Sequence, residues 1–171
     1  ISAEREEREK GVAQAQFESL KNQINPHFLF NSLNVLASLV QVDADLSEKF
    51  IDQLARSYRY LLEQKDKDLV PLKTEIDFVH SFTFLLKIRF EEKLKVNIRL
   101  DPETLGYYIA PLTLQLLIEN AVKHNVISAE TPLVIDIYNE GDDFLVVSNN
   151  LQLRDILLPS TGVGQNNIKS R

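Results

Sequence analysis

The feature that most constrains this chain is the apolar spacing that follows Pro26. Phe28, Leu29, Leu33, Val35, Leu36, Leu39 and Val40 fill an arc of about 160° on a helical wheel. His27, Asn31, Asn34 and Ser38 recur on the opposite side at i, i+4, i+7 and i+11. The spacing predicts one long helix over residues 11–41, about 45 Å if unbroken, with Pro26 inside it. A proline within a helix removes one backbone hydrogen bond and crowds the preceding turn, at a cost of about 3 kcal/mol. That predicts a kink beside His27, which would expose the ring. An accessible, unprotonated imidazole is a competent nucleophile for phosphoryl transfer. A histidine on a wet helix face is more commonly just solvated, so position alone gives His27 no role.

A second helix is predicted over residues 47–64. Phe50, Ile51, Leu54, Tyr58, Leu61 and Leu62 recur there at three- and four-residue spacing, with Asp45 or Ser47 as its N-cap. Two amphipathic helices joined by a short turn form an antiparallel hairpin. One hairpin cannot cover both apolar faces, and pairing with a second copy into a four-helix bundle solves this. The charged start, residues 1–10, reads either as a solvated helix end or as the tail of a coiled coil.

Residues 64–71 are a charged connection ending in Pro71 and mark a domain boundary. The expected domains are 1–67, the helical hairpin, and 68–171, an α/β layered domain. In the second, a helix is expected over 72–90 and a half-buried strand over 94–100. A further helix is expected over 111–125, opening at Pro111. Strands follow over 133–139 and 143–149 around a Glu140-Gly141-Asp142 turn, then a Gly/Ser/Thr/Asn-rich loop over 158–167. The order argues for an α+β fold. With 44% hydrophobic residues the chain can build a core. Its net charge of −6 gives no basic footprint for nucleic acid. The absence of cysteine excludes disulfides, thiolate metal sites and Cys nucleophiles. No apolar run is long enough to cross a membrane. A start at Ile1, no methionine and an end at Arg171 read as a fragment, truncated at its C-terminus.

In the segment 111–125, Leu112, Leu116, Leu117 and Val122 can pack on a sheet, while Glu119, Asn120, Lys123 and His124 add polar groups. An amide oxygen suits Mg²⁺ and an ammonium suits phosphate.

Two stretches carry a specific resemblance. The run Gln23-Ile24-Asn25-Pro26-His27-Phe28-Leu29-Phe30-Asn31-Ser32-Leu33-Asn34 resembles the phosphoacceptor signature of LytS/YehU-type sensor histidine kinases. The segment from Pro111 to Asn125 resembles the N box of the GHKL ATPase superfamily. The resemblance implies that His27 is the phosphoacceptor, in a bundle formed by a homodimer. Many histidine kinases carry an acidic residue just after the histidine. Here it is Phe28, so no base is assigned, and Asn31 is a geometric candidate for orienting the ring. By the same resemblance Asn120 ligands Mg²⁺, Glu119 orients or activates the water or metal shell, and Lys123 and His124 lie near the phosphates of ATP.

Gly162-Val163-Gly164-Gln165-Asn166-Asn167 resembles the family's glycine-rich box, which brings Gly162, Gly164 and Asn167 to the nucleotide. The family's Asp-x-Gly motif, whose Asp meets adenine, is replaced by Asn149 or Asn150 with no glycine beside it. An amide oxygen can accept the same hydrogen bond without the charge. The implied function is ATP-dependent autophosphorylation of His27 and transfer to an Asp of a response regulator. The implied setting is the cytoplasmic portion of a sensor anchored in the cell (inner) membrane by segments outside this chain. Two other readings stand beside it: a dimeric scaffold with a degenerate ATP site, and a GHKL ATPase of the chaperone or topoisomerase kind. The hairpin carrying His27 argues against the last.

Overall fold

The computed structural model describes residues 2–23 and 26–154. It forms two compact units, residues 1–51 and 52–171, and the division falls inside a helix. The fold is α+β.

The first unit contains α1 (Ser2–Gln23), α2 (Pro26–Val40) and the beginning of α3 (Ala44–Gln64). α1 carries exposed i,i+4 ion pairs, Arg5–Glu9 at 3.5 Å and Lys10–Glu6 at 3.2 Å, each adding only a few tenths of a kcal/mol, about 0.3. Pro26 is the first residue of α2. The expected helix over 11–41 is described as α1 and α2, and residues 24 and 25 between them lie outside the described residues. Val42 and Asp43 N–H groups both donate to the Leu39 carbonyl, at 3.0 and 2.8 Å, and close α2. The Asp43 carboxylate then accepts from the Leu46 N–H at 3.0 Å. Asp43, rather than Asp45 or Ser47, caps α3, and the helix starts three residues earlier than expected because the cap sits earlier.

The second unit holds the rest of α3, then β1 (Val70–Pro71), α4 (Leu72–Phe90), β2 (Leu94–Arg99), β3 (Tyr108–Ile109), α5 (Thr113–His124), β4 (Leu133–Glu140) and β5 (Phe144–Asn149). Short 3-10 turns follow α4 and β2. α4 matches the expected span of 72–90. α5 begins two residues after Pro111, because Leu112 adopts the left-handed region (φ 66°) and only then does the chain turn helical. The miniature sheet of β1 and β3 was not legible, since two-residue strands carry no periodicity.

The main sheet has the order β2-β4-β5 and is mixed. β2 pairs parallel with β4, from Leu94 opposite Leu133 to Arg99 opposite Tyr138. β4 pairs antiparallel with β5. At the β4–β5 turn Gly141 takes φ +63°, a conformation that costs a side-chain-bearing residue about 1 kcal/mol or more. α4 packs on β2 and α5, and α5 lies against β4 and β5. Alternation along β4 sends Leu133, Ile135 and Ile137 into the core, fully buried with Val79, Phe82, Leu114 and Ile118 from the two helices.

Ile137 pairs with Ile98 on one side and Val147 on the other. Ile137→Ala is expected to cost about 2–5 kcal/mol, measured as a lowered urea midpoint; a loss below about 1 kcal/mol would contradict this central position.

Candidate functional site

His27 is an exposed residue in the first turn of α2. Asn31 is half-buried one turn on, and Asn34 and Ser38 are exposed, with the Ser38 hydroxyl donating to the Asn34 carbonyl at 3.2 Å. Of the apolar residues on this helix, Phe30, Leu33 and Val40 are exposed. The residue in α2 that is buried is Ser32.

α5 gathers the second set. Glu119, Asn120, Lys123 and His124 occupy its last two turns. Glu119 is half-buried and accepts from the Gln115 Nε2 at 3.2 Å. Asn120 is half-buried and Lys123 exposed, three residues apart on one face. The half-buried His124 uses its carbonyl to accept from the Arg154 N–H at 3.2 Å.

Asn125, buried just past α5, was quoted in the sequence motif without a role. Its Nδ2 donates to the Ala121 carbonyl at 2.8 Å, and its Oδ1 accepts from the Gln152 N–H at 2.8 Å. The Val126 N–H donates to the Gln152 carbonyl at 2.7 Å, and the Arg154 Nε donates to the Asn125 carbonyl at 2.9 Å. The end of α5 is thereby stapled to the segment that follows β5.

Asn149 and Asn150 end β5 and begin that segment. The Asn149 Nδ2 donates to the Asn150 carbonyl at 2.8 Å. Asn150 is engaged on both ends of its amide: Oδ1 accepts from the Val134 N–H at 2.8 Å, and Nδ2 donates to the Pro132 carbonyl at 3.0 Å. Asn150 thus secures the entry to β4. Gly162, Gly164 and Asn167 lie outside the described residues.

The N-terminal end of α5 is held by a residue that sequence reasoning missed. Glu75, on α4, is fully buried. Its carboxylate accepts from the N–H groups of Leu112 and Leu114, both at 3.2 Å, and from the Tyr60 hydroxyl on α3. The Tyr60 ring stacks on Phe78, centroids 4.3 Å apart. Burial pushes the Glu75 carboxyl above its ordinary range, against the opposing pull of these donors. The signal was present: Leu72, Glu75, Val79, Phe82 and Leu86 fall at core spacing, so a carboxylate stood where an apolar residue was due. Tyr58, also on α3, is pushed up to about 12, first by burial and then by the charge of Glu119. Arg59 between the two tyrosines is exposed, and Arg89 lies over the Phe90 ring, 4.7 Å from its centroid.

A family model described as "Histidine kinase" matches residues 15–94, which run from α1 through α4. The helices and mixed sheet agree with the domain of such a kinase. Among relatives, the sensor protein LytS of Oceanobacillus iheyensis is 31% identical over 163 residues, covering 93% of this chain and 28% of its own length. LytS of Bacillus cereus is 35% identical over 121 residues, 71% of this chain and 20% of its own. The sensor histidine kinase BtsS of Escherichia coli K12 is 29% identical across all of this chain and 31% of its own length. The chain belongs with the LytS-type sensor histidine kinases, and it spans about a third or less of the length of the curated relatives it matches. Among the described residues no helix is long and apolar enough to cross a membrane.

A phenol whose pKa is raised by folding stabilises the fold below its unfolded value near 10, and that stability is lost as pH climbs toward about 12. Ring-labelled tyrosine NMR is expected to place the Tyr58 midpoint near 12, and Glu119→Gln is expected to lower it part of the way. An unmoved midpoint in that variant would show that Glu119 does not act on Tyr58.

Proposed function

We propose that this chain is the core of a two-component sensor kinase that transfers phosphate from ATP to His27 and then to an Asp of a response regulator. The observation that carries this reading is one pairing. An exposed histidine stands just behind the proline that opens α2, and the same chain carries the Asn120/Lys123 face on α5. The alignment with a LytS sensor over 93% of the chain supports it.

In this reading residues 1–67 form the dimerisation and phosphotransfer hairpin, and residues 68–171 belong to a GHKL-type ATP-binding domain. The exposed Phe30, Leu33 and Val40 of α2 suit burial against a second copy in a four-helix bundle. Asn120 offers an amide oxygen to Mg²⁺, whose role is to neutralise charge on the β- and γ-phosphates. Lys123 and His124 flank the phosphates, and Glu119 orients the water or metal shell. A neutral ring nitrogen of His27, with Asn31 to orient it, forms the new P–N bond as the bond from the γ-phosphorus to ADP breaks. Holding the two reactants in line is most of the catalysis. Gly162, Gly164 and Asn167 are assigned to the phosphate loop. Membrane attachment comes from segments outside this chain, which leaves this portion in the cytoplasm.

One observation favours a second reading, a dimeric scaffold with a degenerate ATP site. Both ends of the Asn150 amide are spent on the backbone of β4 and its approach, so Asn150 is a poor adenine acceptor. Adenine recognition then falls to Asn149, whose Oδ1 carries no bond among those described.

The test is incubation of the full-length protein with γ-labelled ATP and Mg²⁺. The kinase reading expects acid-labile, base-stable label on the protein, absent from His27→Gln and reduced at least about a hundredfold, roughly 2.7 kcal/mol, in Asn120→Asp. Label that persists in His27→Gln, or a wild-type protein that takes none, rejects it.

A further inference from the structure

The hold on α5 comes from two different helices. Its first N–H groups, which no residue inside the helix can satisfy, donate to the buried Glu75 of α4. The Tyr60 hydroxyl of α3 donates to the same Oε2 that receives the Leu112 N–H. A single oxygen is therefore shared between α3 and the start of α5. The favourable end of the helix dipole adds to the hold. Leu112 is kept in the left-handed region, which costs a residue with a side chain about 1–2 kcal/mol and persists only where its surroundings fix it. Pro111 before it removes further freedom. The rotation and axial position of α5 are thus set at its first turn. Because a helix is rigid over this length, they are carried to Glu119 and Asn120, about 9–12 Å along at 1.5 Å per residue.

We infer that Tyr60 and Glu75 are positioning residues that couple α3 to the nucleotide-facing end of α5, so that a shift of α3 changes how well α5 holds Mg·ATP. This rests on the kinase reading. It assigns the control of that site to one hydroxyl–carboxylate contact. A Tyr60 that moves with α3 withdraws a donor from Oε2. Glu75 then redistributes between its remaining partners, and the first turn of α5 relaxes. A plain structural anchor would need Glu75 and the α5 N–H groups but would be indifferent to the helix that carries the phenol.

The experiment titrates full-length protein with the non-hydrolysable analogue AMP-PNP and Mg²⁺, for wild type, Tyr60→Phe, Glu75→Gln and the double variant, with thermal melts alongside. Tyr60→Phe removes one oxygen and keeps the ring on Phe78, so it tests the idea even if Glu75→Gln does not fold. The expected result is Mg·AMP-PNP binding weakened about threefold to tenfold in Tyr60→Phe. Where Glu75→Gln folds, the double variant is expected to be no weaker than Glu75→Gln alone, because both changes act through one contact. Variants that melt earlier yet bind with wild-type affinity overturn the inference and leave the kinase reading standing. Additive losses overturn it too. A wild-type protein that binds no nucleotide removes both.

Discussion

Everything in the second unit is arranged around a carboxylate taken out of water. Glu75 is fully buried, and the groups that compensate for its desolvation are the N–H groups at the start of α5 and one phenol. A buried acid without such partners would be strongly destabilising. With them, it satisfies the orphan donors of a helix that opens from a left-handed leucine and has no side-chain cap of its own. α4 is thereby tied to α5 at one end, while the apolar faces of both helices meet Leu133, Ile135 and Ile137. The polar clasp sets where α5 starts, and the apolar layer supplies most of the cohesion.

That division of labour explains what could be read from the chain. Apolar periodicity gave α4 to the residue, because nineteen positions of clean spacing leave little choice. The alternation of β4 was equally plain. What escaped was set by single polar atoms. Asp43 takes the cap of α3 from Asp45 and Ser47 because of where its oxygen lies, not because of any pattern. Glu75 escaped because a charged side chain points to the surface by type, although its spacing placed it in the core.

The candidate site divides in the same way. Residue types and order were legible in the motifs that hold His27 and Asn120, and the LytS and BtsS relatives align through both. Roles that depend on hydrogen-bond partners were not. Asn150 looked interchangeable with Asn149 as a replacement for an aspartate, yet its amide is committed to Val134 and Pro132. Tyr58 looked like an ordinary interior aromatic, yet burial and the charge of Glu119 raise its phenol, and the phenol of Tyr60 donates to Glu75. Sequence names the chemistry a residue type can perform, whereas partners decide which of two similar residues is at liberty to perform it.

The staple at Asn125 has a mechanical corollary. Residues 150–154 cannot swing away from the end of α5 without leaving a buried amide and several backbone groups unmatched. If a nucleotide sits beside Asn120, as the kinase reading proposes, that strip of chain is a fixed jamb rather than a door.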